Sequence, residues 1–424
     1  MWGSTVASHL RRSLRALRHR NFRLYWSAQL VSLAGTWMQT VAQGWLMHRL
    51  TGSAFMLGLL GFCQFLPVFA FSLWAGVVAD HMDRRKLVAA TQTAALVQAT
   101  ALAAVVSAGV VRPWMVLALG VVFGVINAFD LPARQTFTID LAGREDLSNA
   151  IALNSMAFNT ARVLGPAAAG ILLASVGEAG CFWLNALSFL PVLAALALMD
   201  LPTRASYGRL SARSTLGEGV RYAFGVGPIR NLLLLLGLTA GFGFQYMVLL
   251  PVYARDLLGG GPETYGLLVS AFGVGALMSS VRLTQQLDRQ GLRLNLLIGL
   301  MAGSAGLGVF AWSRQMPLSL AAGFLAGFGL IVYVASTNTL LQITTEDRFR
   351  GRVMSLYTFL FVGISPIGSL LTGWIGERLG APAATSLSAL VLLAGALIVI
   401  YRLRALAARR APLPTEPVLH ERLD

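Results

Sequence analysis

The chain has few charged residues and almost no lysine. Only 12% of its 424 residues are charged, and Lys86 is the single lysine. Ordinary soluble domains carry roughly 25% charged residues. Hydrophobic residues make up 56% of the chain, and its mean hydropathy is +0.67. A soluble protein of this composition would leave too much apolar surface in water, so we expect a polytopic membrane protein.

The chain also lacks the motifs of several enzyme and metal-binding classes. Its two cysteines, Cys63 and Cys181, lie inside apolar runs, which favours small buried side chains over a disulfide or a metal site. Lys86 follows Arg85 and precedes Leu87, so the Gly-Lys-Ser/Thr of an ATP-binding loop is missing. The five histidines show no ligand spacing. The sequence therefore predicts no enzyme, no metal site and no cofactor.

Apolar runs long enough to cross a bilayer, about 20 residues each, recur twelve times. They fall near residues 22–48, 55–79, 87–109, 114–133, 150–175, 181–200, 229–254, 264–283, 293–312, 317–340, 353–375 and 382–402. With the N-terminus in the cytoplasm, 27 of the 33 basic residues fall inside and five outside. This bias predicts cytoplasmic termini and explains the net charge of +15 without a nucleic acid partner.

The tryptophans are consistent with that orientation. Five of them fall at predicted outer ends, where an interfacial aromatic belt is expected; they are Trp45, Trp114, Trp183, Trp312 and Trp374.

Two halves of the chain resemble each other with a period near 200 residues. Asp83-Arg84 matches Asp288-Arg289, and Pro166 matches Pro366. Two six-helix bundles related by a parallel repeat are an architecture that transporters use, although a channel or a membrane enzyme can also be duplicated. The predicted organisation is a basic amphipathic segment at 1–21, an N-terminal bundle at 22–200, a cytoplasmic linker at 201–228, a C-terminal bundle at 229–403 and a cytoplasmic tail at 404–424.

Two stretches carry a family resemblance. GVVADHMDRRK at 76–86 resembles the signature between helices 2 and 3 of the major facilitator superfamily, with Gly76, Asp80, Arg84 and Arg85 at its positions. Residues 127–170 resemble the exporter branch of that superfamily, which includes enterobactin and macrolide exporters. The resemblance covers essentially the whole chain and implies an all-α fold of twelve transmembrane helices and a transport function.

The first signature also suggests a charge relay. Asp80 and Arg84 are spaced i, i+4, so they face each other on a helical turn. Asp130 is predicted at the same depth. The resemblance implies that Asp80, Arg84 and Asp130 latch the cytoplasmic side when the transporter faces outward. The alternative is a topological anchor that folds the loop and does not switch.

The first span carries a polar stripe. Gln29, Ser32, Thr36, Gln39 and Gln43 recur at helical spacing, and in lipid such a face must turn toward water or polar partners. We predict that Gln29, Thr36, Gln39 and Gln43 line a wet substrate cavity. The alternative is hydrogen bonding between helices. In the second half, Gln245 and Asn338 are further candidates for the cavity, with core packing as their alternative.

Arg162 is the most informative single residue. It lies near the middle of the fifth span, on the same helical face as Asn159 and Pro166. An ionisable residue inside the membrane is by default a candidate functional site, and we predict that Arg162 and Asn159 face the substrate cavity. The alternative is a permanent partner to a carboxylate or to helix carbonyls.

The stretch GPAAAG that follows resembles the antiporter signature of exporters, which implies efflux. Its predicted functional positions are Gly165, Pro166 and Gly170. Physically, Ala161, Gly165 and Ala169 form a face of small residues that allows close helix approach.

Taken together, these features predict a monomeric secondary transporter in a bacterial inner membrane that exports amphiphilic small molecules, such as drugs, macrolides or siderophores. Its partners are the substrate, membrane lipid and a proton gradient. An importer or a lysophospholipid flippase on the same fold remains an alternative, and so does a non-transporting scaffold. The polar stripe and Arg162 argue against the scaffold.

Overall fold

The computed structural model describes residues 14–143, 145–199, 216–283 and 288–408, and these residues form helices joined by short turns, with no strand. A 3-10 turn at Arg15–Arg18 precedes the first α-helix, and a π-helical turn at Tyr253–Leu257 continues the eighth. The α-helices are α1 Arg20–Thr51, α2 Ala54–His81, α3 Arg84–Ser107, α4 Pro113–Ala142, α5 Leu147–Ala197, α6 Leu216–Gly225, α7 Gly227–Phe242, α8 Tyr246–Val252, α9 Pro262–Leu283, α10 Arg289–Trp312, α11 Met316–Thr344, α12 Asp347–Gly363, α13 Ser365–Leu379 and α14 Ala381–Ala408.

The helices are those of a multi-pass membrane protein. In the part of the chain that the structure describes, nine helical stretches are long and apolar enough to cross a bilayer. One of them, α5, is divided at Gly177, whose φ of 69° lies in the left-handed region that favours glycine. Each of the twelve predicted spans overlaps a helix or one part of α5. The all-α membrane fold is confirmed, and the count of twelve crossings stays a prediction.

Helix starts follow the internal repeat. The carboxylate of Asp83 accepts a hydrogen bond from the Lys86 backbone N–H at the start of α3. Asp288 accepts one from Gly291 at the start of α10. Such N-caps satisfy backbone donors that have no partner within the helix. The matched prolines differ, because Pro166 lies inside α5, whereas Pro366 is in the first turn of α13.

The two halves of the chain each pack mainly on themselves. In the N-terminal half, α1 packs on α5, α2 on α4, and α3 on α4 and α5. In the C-terminal half, α10 and α9 pack on α11, and α14 packs on α10. The halves meet through α5 with α9 and α2 with α13. We call the face that carries Arg84, Asp146 and Glu346 the inner face, following the predicted orientation, and the opposite face, with His48 and Glu377, the outer face.

The predicted segment boundaries meet the helices as follows. Of the basic segment 1–21, residues 1–13 lie outside the described residues, as do 201–215 of the linker and 409–424 of the tail. The rest of the linker is helical in α6 and the start of α7. Helix α4 continues nine residues past the predicted span end at 133, to Ala142. The predicted end followed the apolar segment, whereas the helix extends beyond it. That extension carries Arg134 and Asp140.

Candidate functional site

Arg162 lies where the two halves meet. It is roughly 22 Å from Leu147 and roughly 21 Å from Val176, the two ends of the first part of α5, at 1.5 Å per residue. Its guanidinium carbon is 6.0 Å from the ring centre of Trp37 on α1. The guanidinium also lies beside the hydroxyl of Tyr246 on α8. One cation therefore contacts an aromatic residue from each half.

Flat apolar surfaces flank this cation. The ring of Trp37 meets Phe158 edge-on, with 5.9 Å between centroids. In the other half, Tyr246 stacks on Phe272 at 4.2 Å with the ring planes 19° apart. Arg162 is partly buried and Tyr246 is almost fully buried. The arrangement can offer charged hydrogen-bond donors beside aromatic surface, which suits an amphiphilic ligand.

The polar stripe of α1 divides into two groups. Gln39 is fully buried; it donates to Gln98 at 3.1 Å and accepts from Asn185 at 2.7 Å. Gln43, also buried, accepts from Gln64 on α2 at 3.2 Å. In this conformation Gln39 forms hydrogen bonds between helices of one half, and Gln43 forms one such bond while its amide nitrogen has no partner in the described part of the chain; their place in a cavity stays a prediction. The same helical spacing is compatible with either role, so the sequence could not separate them.

Gln29 and Thr36 complete the stripe. Gln29 is buried, and neither atom of its amide has a hydrogen-bond partner in the described part of the chain. Buried polar groups are nearly always paired, so this amide remains a candidate for contact with substrate or water. The hydroxyl of Thr36 donates to the carbonyl of Ser32, one turn earlier on the same helix.

The other predicted cavity residues form local hydrogen bonds. Asn159 donates to the carbonyl of Ser155 at 2.8 Å, and Gln245 donates to that of Ala240 at 3.0 Å. Asn338 accepts from Gln342 at 2.6 Å. Asn159 and Asn338 are partly exposed, whereas Gln245 is buried. Their place in a cavity stays a prediction, and Arg162 is the member of the predicted set that contacts both halves.

The charges of the predicted relay have other partners in this conformation. Arg84 donates to both carboxylate oxygens of Asp140, at 3.0 and 3.1 Å. Asp130, buried within the N-terminal half, pairs with Arg134 and accepts from Thr91 and Gln92, at 2.7 and 2.9 Å. The side chain of Asp80 lies outside the described residues. The relay therefore stays a prediction about a different conformation.

The small residues of the GPAAAG stretch bring backbones close together. A Cβ on Gly165 would lie 2.7 Å from the carbonyl oxygen of Ala34 on α1, and one on Gly170 would lie 3.0 Å from the Cα of Gly266 on α9. The carbonyl oxygen of Pro166 would lie 2.9 Å from a Cβ on Gly266. Gly165 thus packs within its own half, while Pro166 and Gly170 pack across the interface.

Contacts between the halves concentrate at the outer face. His48 Nε2 lies 2.9 Å from the Asp256 carboxylate. Glu377 accepts from the Ser53 hydroxyl at 3.1 Å and from the Phe55 backbone N–H at 3.2 Å. We call these contacts, together with the close approach of Gly58 and Gly373, the outer seal.

A predicted belt residue also contributes here. Trp45 is buried and stacks on Tyr265 of α9 at 6.2 Å, so the prediction that it lies in the lipid interface is wrong. An outer-end position does not by itself tell whether a tryptophan faces lipid or the other half.

The ion pairs that the structure describes at the inner face each stay within one half. Arg15 and His19 contact Asp146 at 2.7 and 2.8 Å. Arg84 contacts Asp140, and in the other half Arg352 contacts Glu218 at 3.0 Å. The polar contacts that the structure describes between the halves therefore lie at the outer face. No group of three or more metal-ligating side chains occurs among the described residues.

Several of these residues were not predicted from the sequence. The spacing i, i+4 of Asp130 and Arg134 is a local signal that could have indicated their pairing. His48 and Asp256 are 208 residues apart, and no local pattern connects them. The same holds for Ser53 with Glu377 and for Arg162 with Trp37.

Comparison with known proteins gives one family. Residues 12–423 match the model of the family described as transmembrane secretion effector. The chain is 24% identical to the staphyloferrin A transporter of Staphylococcus aureus, over 84% of this chain and 89% of that protein. It is 26% identical to the multidrug efflux pump Tap of Mycolicibacterium fortuitum, over 91% and 97%.

Two further comparisons concern the branch and the fold. The chain is 26% identical to the enterobactin exporter EntS of Citrobacter koseri, over 93% of this chain and 95% of that one. The resemblance to the exporter branch is thereby confirmed. The crystal structure of the nucleoside transporter NupG aligns with a TM-score of 0.72 at 13% identity, over 91% of this chain and 99% of that one. This likeness confirms the fold alone.

Proposed function

This chain belongs to the transmembrane secretion effector family of the major facilitator superfamily, and on that premise we propose that it exports amphiphilic small molecules across a bacterial inner membrane. Its relatives and its fold are those of membrane transporters rather than of enzymes. The substrates that we propose are of the drug, macrolide or siderophore kind. Relatives named as a multidrug efflux pump and as an enterobactin exporter support this class and this direction.

One observation carries the proposal. The interface between the halves is bridged by His48–Asp256 and by Glu377 at the outer face, and below this seal lies the unpaired cation Arg162. The inner-face ion pairs leave the halves free to separate there. We interpret this as the inward-facing state of an alternating-access cycle, in which substrate enters from the cytoplasm. The cycle requires a second state in which the outer seal breaks and the inner face closes.

The predicted relay fits that second state. When the inner face closes, Arg84 would leave Asp140 and pair with Asp80 and Asp130. We also propose that a proton gradient drives the transport, because the sequence lacks an ATP-binding loop. We propose a monomer with both termini in the cytoplasm, as the distribution of basic residues favours.

The direct test is accumulation in cells. A panel of fluorescent amphiphiles, macrolides and catecholate siderophores is measured in cells that carry wild type, Arg162→Gln or Arg230→Gln at matched membrane levels, with and without a protonophore. Arg230 is an exposed arginine at the inner end of α7 and serves as the control.

We expect wild type and Arg230→Gln to lower accumulation of part of the panel, and we expect Arg162→Gln or the protonophore to abolish that effect. If wild type lowers the accumulation of no compound, export is contradicted. Lower accumulation that persists with the protonophore would support export and contradict proton coupling.

A further inference from the structure

The charge of Arg162 has no counter-ion in the part of the protein that the structure describes. The ion pairs of the described carboxylates involve other basic residues: Asp130 with Arg134, Asp140 with Arg84, Asp146 with Arg15 and His19, Glu178 with Arg49, Glu218 with Arg352, Asp256 with His48, Glu346 with Arg348, and Asp347 with Arg350. Arg162 instead lies beside a phenol, the side chain of Tyr246.

That neutral partner leaves most of the guanidinium unused. A guanidinium carries five N–H donors in a fixed fork and is charged at any physiological pH. One phenolic oxygen cannot satisfy all of these donors. An unneutralised charge at mid-membrane depth is costly, and the residue is only partly buried, so a ligand can reach it. The group that would satisfy both the charge and the fork is a carboxylate, which binds a guanidinium through two parallel hydrogen bonds.

The surroundings of Arg162 indicate what the rest of such a ligand looks like. Trp37 and the half-exposed Phe158 form an aromatic wall on one side, while on the other side Tyr246 and Phe272 stack within the core, 1% and 3% exposed. Since Trp37 and Tyr246 come from different halves, a molecule bound to Arg162 would lie at the boundary between them. A ligand with an apolar ring system beside its anionic group fits the wall of Trp37 and Phe158.

We propose that the site around Arg162 selects organic anions, specifically amphiphiles that carry a carboxylate next to an apolar body. This inference rests on the proposed function and narrows its substrate class. The proposal excludes cationic drugs as ligands of this site, because a cation would be repelled by Arg162 and would find no described carboxylate beside it.

The test uses three probes with one apolar body. They are 4-(1-pyrenyl)butanoate, its methyl ester and 4-(1-pyrenyl)butylammonium, so the head group alone changes from anionic to neutral to cationic. Binding to the purified full chain in lipid nanodiscs is measured by quenching of tryptophan fluorescence, with empty nanodiscs as the blank. Wild type is compared with Arg162→Gln, Arg162→Glu, Tyr246→Phe and the control Arg230→Gln.

We expect wild type and Arg230→Gln to bind the carboxylate tighter than the other probes by roughly 10- to 100-fold, the range of charge-assisted hydrogen bonds. Arg162→Gln should make the three affinities alike, and Arg162→Glu should reverse the order in favour of the ammonium probe. Tyr246→Phe keeps the charge and should keep the preference. Equal wild-type affinities, a preference that survives Arg162→Gln, or its complete loss in Tyr246→Phe would each overturn the proposal.

Folding and transport are checked separately. Each variant must elute from a size-exclusion column as wild type does. If Arg162→Gln does not, the proposal is tested by the probe affinities of wild type, Arg162→Glu and Tyr246→Phe. Export of the same probes from loaded proteoliposomes then separates the two proposals. Equal export of all three probes would contradict anion selection and leave the exporter proposal standing. Anion-selective binding without any export would support anion selection and contradict the exporter proposal.

Discussion

The outer face of this bundle has polar contacts between the halves, whereas the ion pairs that the structure describes at the inner face each stay within one half. At the outer face, His48 on α1 contacts Asp256 of the other half, and Glu377 reaches back to the loop before α2. At the inner face, Arg84 contacts Asp140 and Arg352 contacts Glu218, each within its own half. The positive-inside bias explains why charges are abundant at the inner face, but not why they stay within one half.

In the alternating-access cycle that we propose, the difference follows from what each pair must do when the halves move. A pair within one half travels with it as a rigid body, so its energy adds to the stability of that half in every conformation. A pair between halves is lost when that face opens, so its energy counts only in the closed state. Substitutions at pairs within one half should therefore act on stability alone, by an amount that depends on burial, and substitutions in the outer seal should change the conformational equilibrium.

The largest effect is expected at Asp130, which accepts from Thr91 and Gln92 and pairs with Arg134. Asp130→Asn leaves the guanidinium of Arg134, whose side chain is only 20% exposed, without its carboxylate. Breaking a buried pair in this way costs about 3 kcal/mol or more. We expect the apparent melting temperature of the purified protein, followed by intrinsic fluorescence, to fall by several degrees, with the outer seal unchanged.

Two controls test the reason for that loss. Asp347→Asn removes a highly exposed carboxylate that pairs with Arg350, and it should leave the melting temperature unchanged. The double variant Asp130→Asn/Arg134→Met removes both charges and should recover much of the lost stability. If the double variant is less stable than Asp130→Asn alone, the unpaired guanidinium is not the cause.

The next largest effect is expected at Gly58 in the outer seal. A Cβ at this position would lie 2.5 Å from the carbonyl oxygen of Ser369 and 2.8 Å from the Cα of Gly373. Because backbone cannot move aside cheaply, Gly58→Ala should destabilise the closed outer face by ~1–3 kcal/mol, as overpacking does. Gly308→Ala is the control, since its Cβ would meet Ala389 at an ordinary 3.9 Å.

The measurement is access from outside. We would place a cysteine at Val248, which lies beside Gly61 below the seal, after replacing Cys63 and Cys181 by alanine. Its labelling by a membrane-impermeant maleimide should be faster in Gly58→Ala and unchanged in Gly308→Ala. Unchanged labelling in Gly58→Ala would show that this contact does not close the outer face.

These contacts also show which features of the molecule can be predicted from its sequence. The helices, the caps at Asp83 and Asp288 and the position of Arg162 near the middle of the first part of α5 follow from local patterns, because hydropathy, spacing and capping act within a few residues. The partners of His48 and Gly58 lie in the other half of the chain, and no local pattern connects them. Gln39 shows a third limit, since a polar stripe has the same spacing whether it faces a cavity or binds another helix.

A smaller effect is expected at the polar contact of the seal. His48 is nearly fully buried, whereas the side chain of Asp256 is 46% exposed, so water compensates for part of the lost contact. Asp256→Asn should destabilise the closed outer face by ~1 kcal/mol, near the upper end for an exposed pair, and labelling at the Val248 position should rise about fivefold. Glu178→Gln, which removes an outer-face pair within one half, should leave labelling unchanged.

The smallest effect is expected at Arg352, and it tests the comparison most directly. Its contact with Glu218 has the same length as many buried pairs, 3.0 Å, but Glu218 is 68% exposed and both residues belong to the C-terminal half. Exposed pairs contribute ~0–1 kcal/mol, and this contribution should be equal in all conformations. Arg352→Gln should therefore leave both the melting temperature and labelling at the Val248 position within error of wild type. Faster labelling in this variant would mean that the inner-face pairs do influence the outer seal. It would contradict the inference that pairs within one half leave the conformational equilibrium unchanged.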